Sequence, residues 1–168
     1  MIRFPVSSAL VLALAVGSSL SAAWWLSHLS GKGEAQAAVI GPVPASGAVA
    51  QVLKGADGHY WTEALIEGRV VRVMVDTGAS VIVLTPDDAA RIGLKLEPED
   101  FGATVLTAAG PVDAAPVSLA SVSVDAARVE HVDALVVETG LPHSLLGMSY
   151  LGRLSGFEAT PESLTLRP

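Results

Sequence analysis

Val73-Met74-Val75-Asp76-Thr77-Gly78-Ala79-Ser80 runs an apolar, strand-like segment into a single acidic residue, and Val81-Ile82-Val83-Leu84 resumes the apolar pattern at once. A carboxylate set between two buried strands costs free energy unless it is hydrogen-bonded or used chemically. Thr77 brings a hydroxyl that can tie the loop together. Gly78 lets backbone approach backbone, and Ala79 is small enough to leave room for a neighbouring molecule. A purely structural reading also exists, in which Asp76 bonds nearby amides in an Asx turn. Asp-Thr-Gly occurs once in the chain.

Outward from this segment the pattern is one of short strands. Tyr60 to Ile66 and Arg69 to Val75 flank Glu67-Gly68, a two-residue hairpin signal. Thr85-Pro86-Asp87-Asp88 opens a helix with Thr as N-cap, Pro at the first position and acids in the first turn, and Gly93 closes it. Thr104 to Thr107 and Val112 to Leu119 form two arms around Ala108-Ala109-Gly110-Pro111, and Pro116 argues for an edge or a flap. Val117 to Val124 alternates, and Asp125-Ala126-Ala127 turns the chain into Val129 to Val137. Leu145-Leu146-Gly147 is a short buried run, Met148 to Leu154 a short helix and Ser163 to Leu166 a last strand. The fold class is therefore mainly β and barrel-like.

Composition narrows the function. The chain of 168 residues is 51% hydrophobic, 16% charged and carries a net charge of −7. Without a basic stripe to displace counterions, a nucleic-acid partner is not expected. There are no cysteines, which excludes disulfides, thiolate–zinc sites and thiol catalysis. The four histidines, His28, His59, His131 and His143, lack metal-ligand spacing, so no metal or cofactor is expected. Gly147 to Gly152 has one residue too many for a nucleophile elbow, which leaves Ser149 as a helical residue. Glu97, Glu99 and Asp100 read as a solvated loop.

Phe4 to Gly31 contains no Asp, Glu, Lys or Arg, which is long enough for the roughly 20 residues a bilayer requires. Trp24 and Trp25 fall near its far end, where an aromatic belt would lie. Residues 1–31 are thus expected to be a transmembrane anchor, or a signal cleaved near Ala35-Gln36-Ala37. Residues 32–56 read as a flexible spacer and residues 57–168 as the folded domain.

Taken in order, three markers resemble the retropepsin-like aspartic proteases: the Asp76-Thr77-Gly78-Ala79-Ser80 loop, Thr107-Ala108-Ala109-Gly110 at the place of the flap, and Leu145-Leu146-Gly147 before a helix. The chain is most similar to a membrane-anchored bacterial group of that family. The resemblance implies a closed barrel with a flap hairpin and an aspartic endopeptidase acting on protein or peptide substrates. It implies that Asp76 is the catalytic carboxylate, with Thr77 bonding across a dimer axis and Gly78 lining the cleft. It also implies a single-pass protein of the bacterial inner membrane; Arg3 and the α-amino group, by the positive-inside bias, favour a cytoplasmic N-terminus and a domain on the periplasmic side. Two departures stand out: the flap tip has one Gly and no aromatic, and Ser80 occupies the place of a second acid in many viral relatives.

Peptide hydrolysis through an activated water needs both a base and an acid. Two carboxylates about 3 Å apart serve as both, because like charges that close cannot both ionise. No other acid here has the Asp-Thr-Gly context, so an enzyme of this kind would be a homodimer with Asp76 from each chain. Ser163 to Leu166 would join the dimer sheet, as in viral relatives. The competing reading is the same fold used without turnover, as a dimerising or peptide-binding module.

Overall fold

The computed structural model describes residues 41–107 and 110–168. The anchor expected at 1–31 lies outside the described residues, as do Ala108 and Ala109 of the expected flap. No helix among the described residues is long and apolar enough to cross a membrane.

Among the described residues, ten strands and two short α-helices follow in order. They are β1 (Ala50–Leu53), β2 (Trp61–Ile66), β3 (Arg69–Val75), β4 (Ile82–Leu84), α1 (Pro86–Arg91), β5 (Ala103–Thr107), β6 (Gly110–Val124), β7 (Ala127–Val137), β8 (Ser144–Leu146), α2 (Met148–Leu151), β9 (Gly156–Ala159) and β10 (Ser163–Arg167). The larger sheet runs β2-β3-β8-β4-β7-β6, and β6 returns to pair with β2, which closes the barrel. β5 hangs on the outside of β6. A smaller sheet has the order β1-β10-β9.

The local chemistry accounts for the elements. Along β2 and β3, Ala64, Ile66, Val71 and Val73 are fully buried while Leu65, Val70 and Arg72 face out, the period-2 alternation of a one-sided strand. Glu67 and Gly68 both have positive φ, +50° and +74°, as a twisted two-residue hairpin requires. Glu67 also accepts from the N–H groups of Ala120 and Ser121, tying this hairpin to β6. Thr85 caps α1 by accepting from Asp88 N–H at 3.2 Å. Ile66, Ile82, Leu84, Leu119, Leu146, Leu151 and Leu166 are fully buried, each contributing about 1.5–3 kcal/mol over exposure.

Three sequence expectations change. Part of the segment expected to be spacer is structured: β1 lies at 50–53 and pairs with β10, and Ser46 bridges to Arg128. Two buried positions in a four-residue strand are too few to show a period. Gly47 marks the close approach there. Its φ is +106°, and a Cβ would stand 1.8 Å from the Ala126 carbonyl oxygen. Next, Pro116 does not interrupt β6. It pairs opposite Leu135, in a gap between the β5 and β2 pairings on the other side, where a missing N–H costs no ladder bond. Finally, β10 is central in its sheet rather than an open edge, because β1 and the unanticipated β9 occupy its two sides.

Candidate active site

β8 is inserted between β3 and β4, parallel to the first and antiparallel to the second. The chain leaving β3 at Val75 must therefore cross the end of β8 before it enters β4. Residues 76–81 make that crossing, and the residues around the end of β8 hold them. Asp76 N–H donates to the Leu146 carbonyl at 3.1 Å, and Met148 N–H donates to the Ala79 carbonyl at 2.8 Å. Ser149 Oγ accepts from Ile82 N–H at 2.9 Å. Between these bonds lies Gly147. A Cβ on it would be 2.1 Å from the Val81 carbonyl oxygen and 2.7 Å from that of Ala79. Only a residue without a side chain permits this contact of backbone on backbone.

The loop is a tight turn about its own carboxylate. Asp76 Oδ1 accepts from Gly78 N–H at 2.8 Å, and Ala79 N–H donates to the Asp76 carbonyl at 3.3 Å. Asp76 is half-buried, and Thr77, Gly78 and Ser80 are exposed. Asp76 has no ion-pair partner among the described residues. The site is thus a carboxylate presented on a rigid loop, with its Thr and Gly open to an approaching surface. An Asx-type bond is present, as the purely structural reading requires. That reading does not account for the three hydrogen bonds and the Gly147 contact that hold the loop from beneath.

Thr107 and Gly110 close the β5–β6 hairpin, with Thr107 Oγ1 donating to the Gly110 carbonyl at 2.8 Å. β5 pairs with β6 alone, so the hairpin projects from the barrel as a two-stranded arm. Leu106 near its tip is 86% exposed. An open cleft of about 440 Å³ lies elsewhere, between Trp61, Arg72, Thr85, Asp88, Arg91 and His143. Asp88, Arg91 and Arg72 already have partners there. Arg91 pairs with Asp88 at 2.5 Å, and Arg72 stacks 4.8 Å from the Trp61 ring centre. The Asp57 carboxyl is held below the usual carboxylate range by the Trp61 indole N–H, and next by the His59 backbone N–H. No cluster of His, Asp or Glu able to hold a metal is formed among the described residues.

Residues 62–153 match the family profile described as "gag-polyprotein putative aspartyl protease". The chain belongs to the retropepsin-like aspartic protease family. A retropepsin-like aspartic protease from Rickettsia conorii, solved by crystallography, is 32% identical with a TM-score of 0.63, over 73% of this chain and 92% of that one. The protease of EIAV shares the fold at 21% identity and a TM-score of 0.51, over 63% of this chain and 97% of that one. An uncharacterized Sinorhizobium protein from the cobV 5′ region is 41% identical over 66% of this chain and 48% of its own length. An uncharacterized Rickettsia prowazekii protein is 37% identical over 68% and 49%. This retropepsin-like chain thus spans about half the length of the curated relatives it matches.

The structure brings two of the three markers together: Asp76 to Ser80 lies against Leu146 and Gly147, while Leu145 pairs with both Met74 and Val83. The third, Thr107 and Gly110, stands on a separate arm. Ser149 was passed over in the sequence because nothing in its neighbours shows a bond to Ile82, 67 residues away. A network behind the barrel end was also missed. Ser144 Oγ accepts from Thr85 N–H at 3.1 Å and donates to Asp88 Oδ2 at 2.6 Å, coupling β8 to α1.

Proposed function

We propose that this chain is an aspartic endopeptidase in which two copies each contribute Asp76 to one site. The clamped presentation of Asp76 on an exposed loop supports the reading most directly. A single carboxylate cannot be base and acid at once, so the pair comes from a homodimer. With one carboxyl protonated and one ionised, the ionised one takes a proton from water as its oxygen bonds to the peptide carbonyl carbon. The protonated one gives its proton to the carbonyl oxygen, forming a gem-diol. As the C–N bond breaks, the carboxyl that took the water proton gives it to the leaving amine nitrogen, and the other carboxylate takes a gem-diol O–H proton, which leaves a carboxylic acid product and restores the starting pair. Thr77 and Gly78 lie open on the loop, where they would meet the partner and the substrate. The β5–β6 arm, with Thr107, Ala108, Ala109 and Gly110 at its tip, is the flap. An anchor in residues 1–31 holds the domain at the outer face of a bacterial inner membrane and raises the local concentration of partners.

The test is cleavage of a diverse peptide mixture across pH by wild type and Asp76→Asn. Asn fits the same hydrogen bond from Gly78, so the variant is expected to fold and self-associate normally while losing cleavage. Undiminished cleavage by that variant sinks the proposal. Self-association without cleavage by the wild type would favour the module that binds peptides without turnover.

A further inference from the structure

β9 is an edge strand of the smaller sheet, as β1 is, and its outer side pairs with no strand among the described residues. Registers Ala50↔Leu166↔Phe157 and Val52↔Leu164↔Ala159 put these residues on one face. Ala50, Val52, Leu164 and Leu166 on that face are buried, yet Phe157 is 37% exposed and Ala159 is exposed. The apolar layer therefore continues past the core onto an uncovered strand. The backbone direction follows from the adjoining turn, where Thr160 N–H donates to the Ser163 carbonyl at 2.8 Å. Successive residues alternate sides, so Glu158 and Gly156 turn their backbone groups toward β10. Phe157 and Ala159 turn theirs toward the open edge.

We infer that a second copy of this chain docks here, β9 against β9 in antiparallel fashion, with Phe157 opposite Phe157 of the partner subunit. The inference rests on the reading that two copies share one site. β10, the strand expected to enter the dimer sheet, has both sides occupied within the chain. Keeping the apolar residues of both copies on one face requires the two-fold axis to pass through a residue of β9. Centring on Glu158 would set two carboxylates face to face, which is destabilising. Centring on Phe157 lets the two Phe157 residues exchange N–H···O=C bonds. It also sets each Glu158 opposite Gly156, where a built Cβ meets nothing within 4 Å. Arg167 already neutralises Glu158 at 2.7 Å on the same face. The edge is thus self-complementary in hydrogen bonding, apolar contact and charge.

The cysteine-free chain makes the register testable. Opposite residues of a non-hydrogen-bonded pair lie about 4.5 Å apart at Cα, within the disulfide range. The full-length Gly156→Cys/Glu158→Cys variant, purified in detergent and oxidised, is expected to double its apparent mass on a non-reducing gel. Phe157→Asp is expected to raise the dimer dissociation constant at least about tenfold. Cross-linking by Glu158→Cys alone, by Leu53→Cys on the opposite edge strand instead, or by neither, overturns the inference. Efficient cross-linking without peptide cleavage upholds this interface and removes the protease reading. Dilution-sensitive cleavage with no cross-link does the reverse.

Discussion

At the scale of single residues, the loop at residues 76–81 is built on one carboxylate and one missing side chain. Asp76, Thr77 and Gly78 were legible because their chemistry is contained in neighbours: Gly78 N–H reaches Asp76 Oδ1 across two residues. Gly147 was legible only as part of a marker. Its reason is tertiary, the backbone of residues 79–81 lying where a Cβ would be. Those atoms belong to a clamped loop and cannot move aside as a flexible side chain would. Gly147→Ala is therefore expected to cost about 3 kcal/mol or more by overpacking. Urea denaturation of that variant should show a lower midpoint. An unchanged midpoint would mean that the loop yields freely.

At the scale of elements, α2 is too short to be stable by itself and is held by what it buries. Tyr150 is fully buried and its hydroxyl donates to the Ala127 carbonyl at 2.8 Å, pinning α2 against the β6–β7 turn. Burial pushes its phenol up to about 12, with the nearby Asp125 charge adding to the shift and the Val124 backbone hydrogen bond opposing it. Tyr150 is harder to ionise folded than unfolded. Its contribution is intact below the ordinary tyrosine value of 10.0 and fades as pH rises toward about 12. Wild-type stability should fall steeply across that alkaline window. Tyr150→Phe is expected to lose about 0.5–1.5 kcal/mol at neutral pH and to show a flatter alkaline limb. Thermal melts at a series of pH values decide it, and parallel curves for the two proteins would contradict it.

For the whole molecule, the boundary of the folded unit differs from the sequence estimate. A domain beginning at residue 57 omits β1, which covers one side of β10. It also omits residues that Arg153 holds, since the guanidinium donates to the Val43 carbonyl as well as to that of Glu130. A chain starting at Gly55 exposes a β10 edge and part of the layer around Leu164 and Leu166. It is expected to lose at least about 2 kcal/mol of stability, from Val52 burial alone, and to aggregate through the bared edge. Light scattering and thermal melts of this truncation against the full chain test the point. Equal stability would restore the spacer reading for residues 45–54.

The sequence by itself determined the family, the strand-rich class, the capped helix and the position of the single acidic loop. Those features are written in periods and spacings of a few residues, where side-chain alternation and turn chemistry act. Tertiary structure alone decided that β8 separates β3 from β4, that Ser149 and Gly147 hold the loop, and that β10 is enclosed by β1 and β9. Those are contacts between segments far apart in the chain. Local pattern carries no record of them, because such a contact is stabilised only once the barrel has closed and brought its ends together.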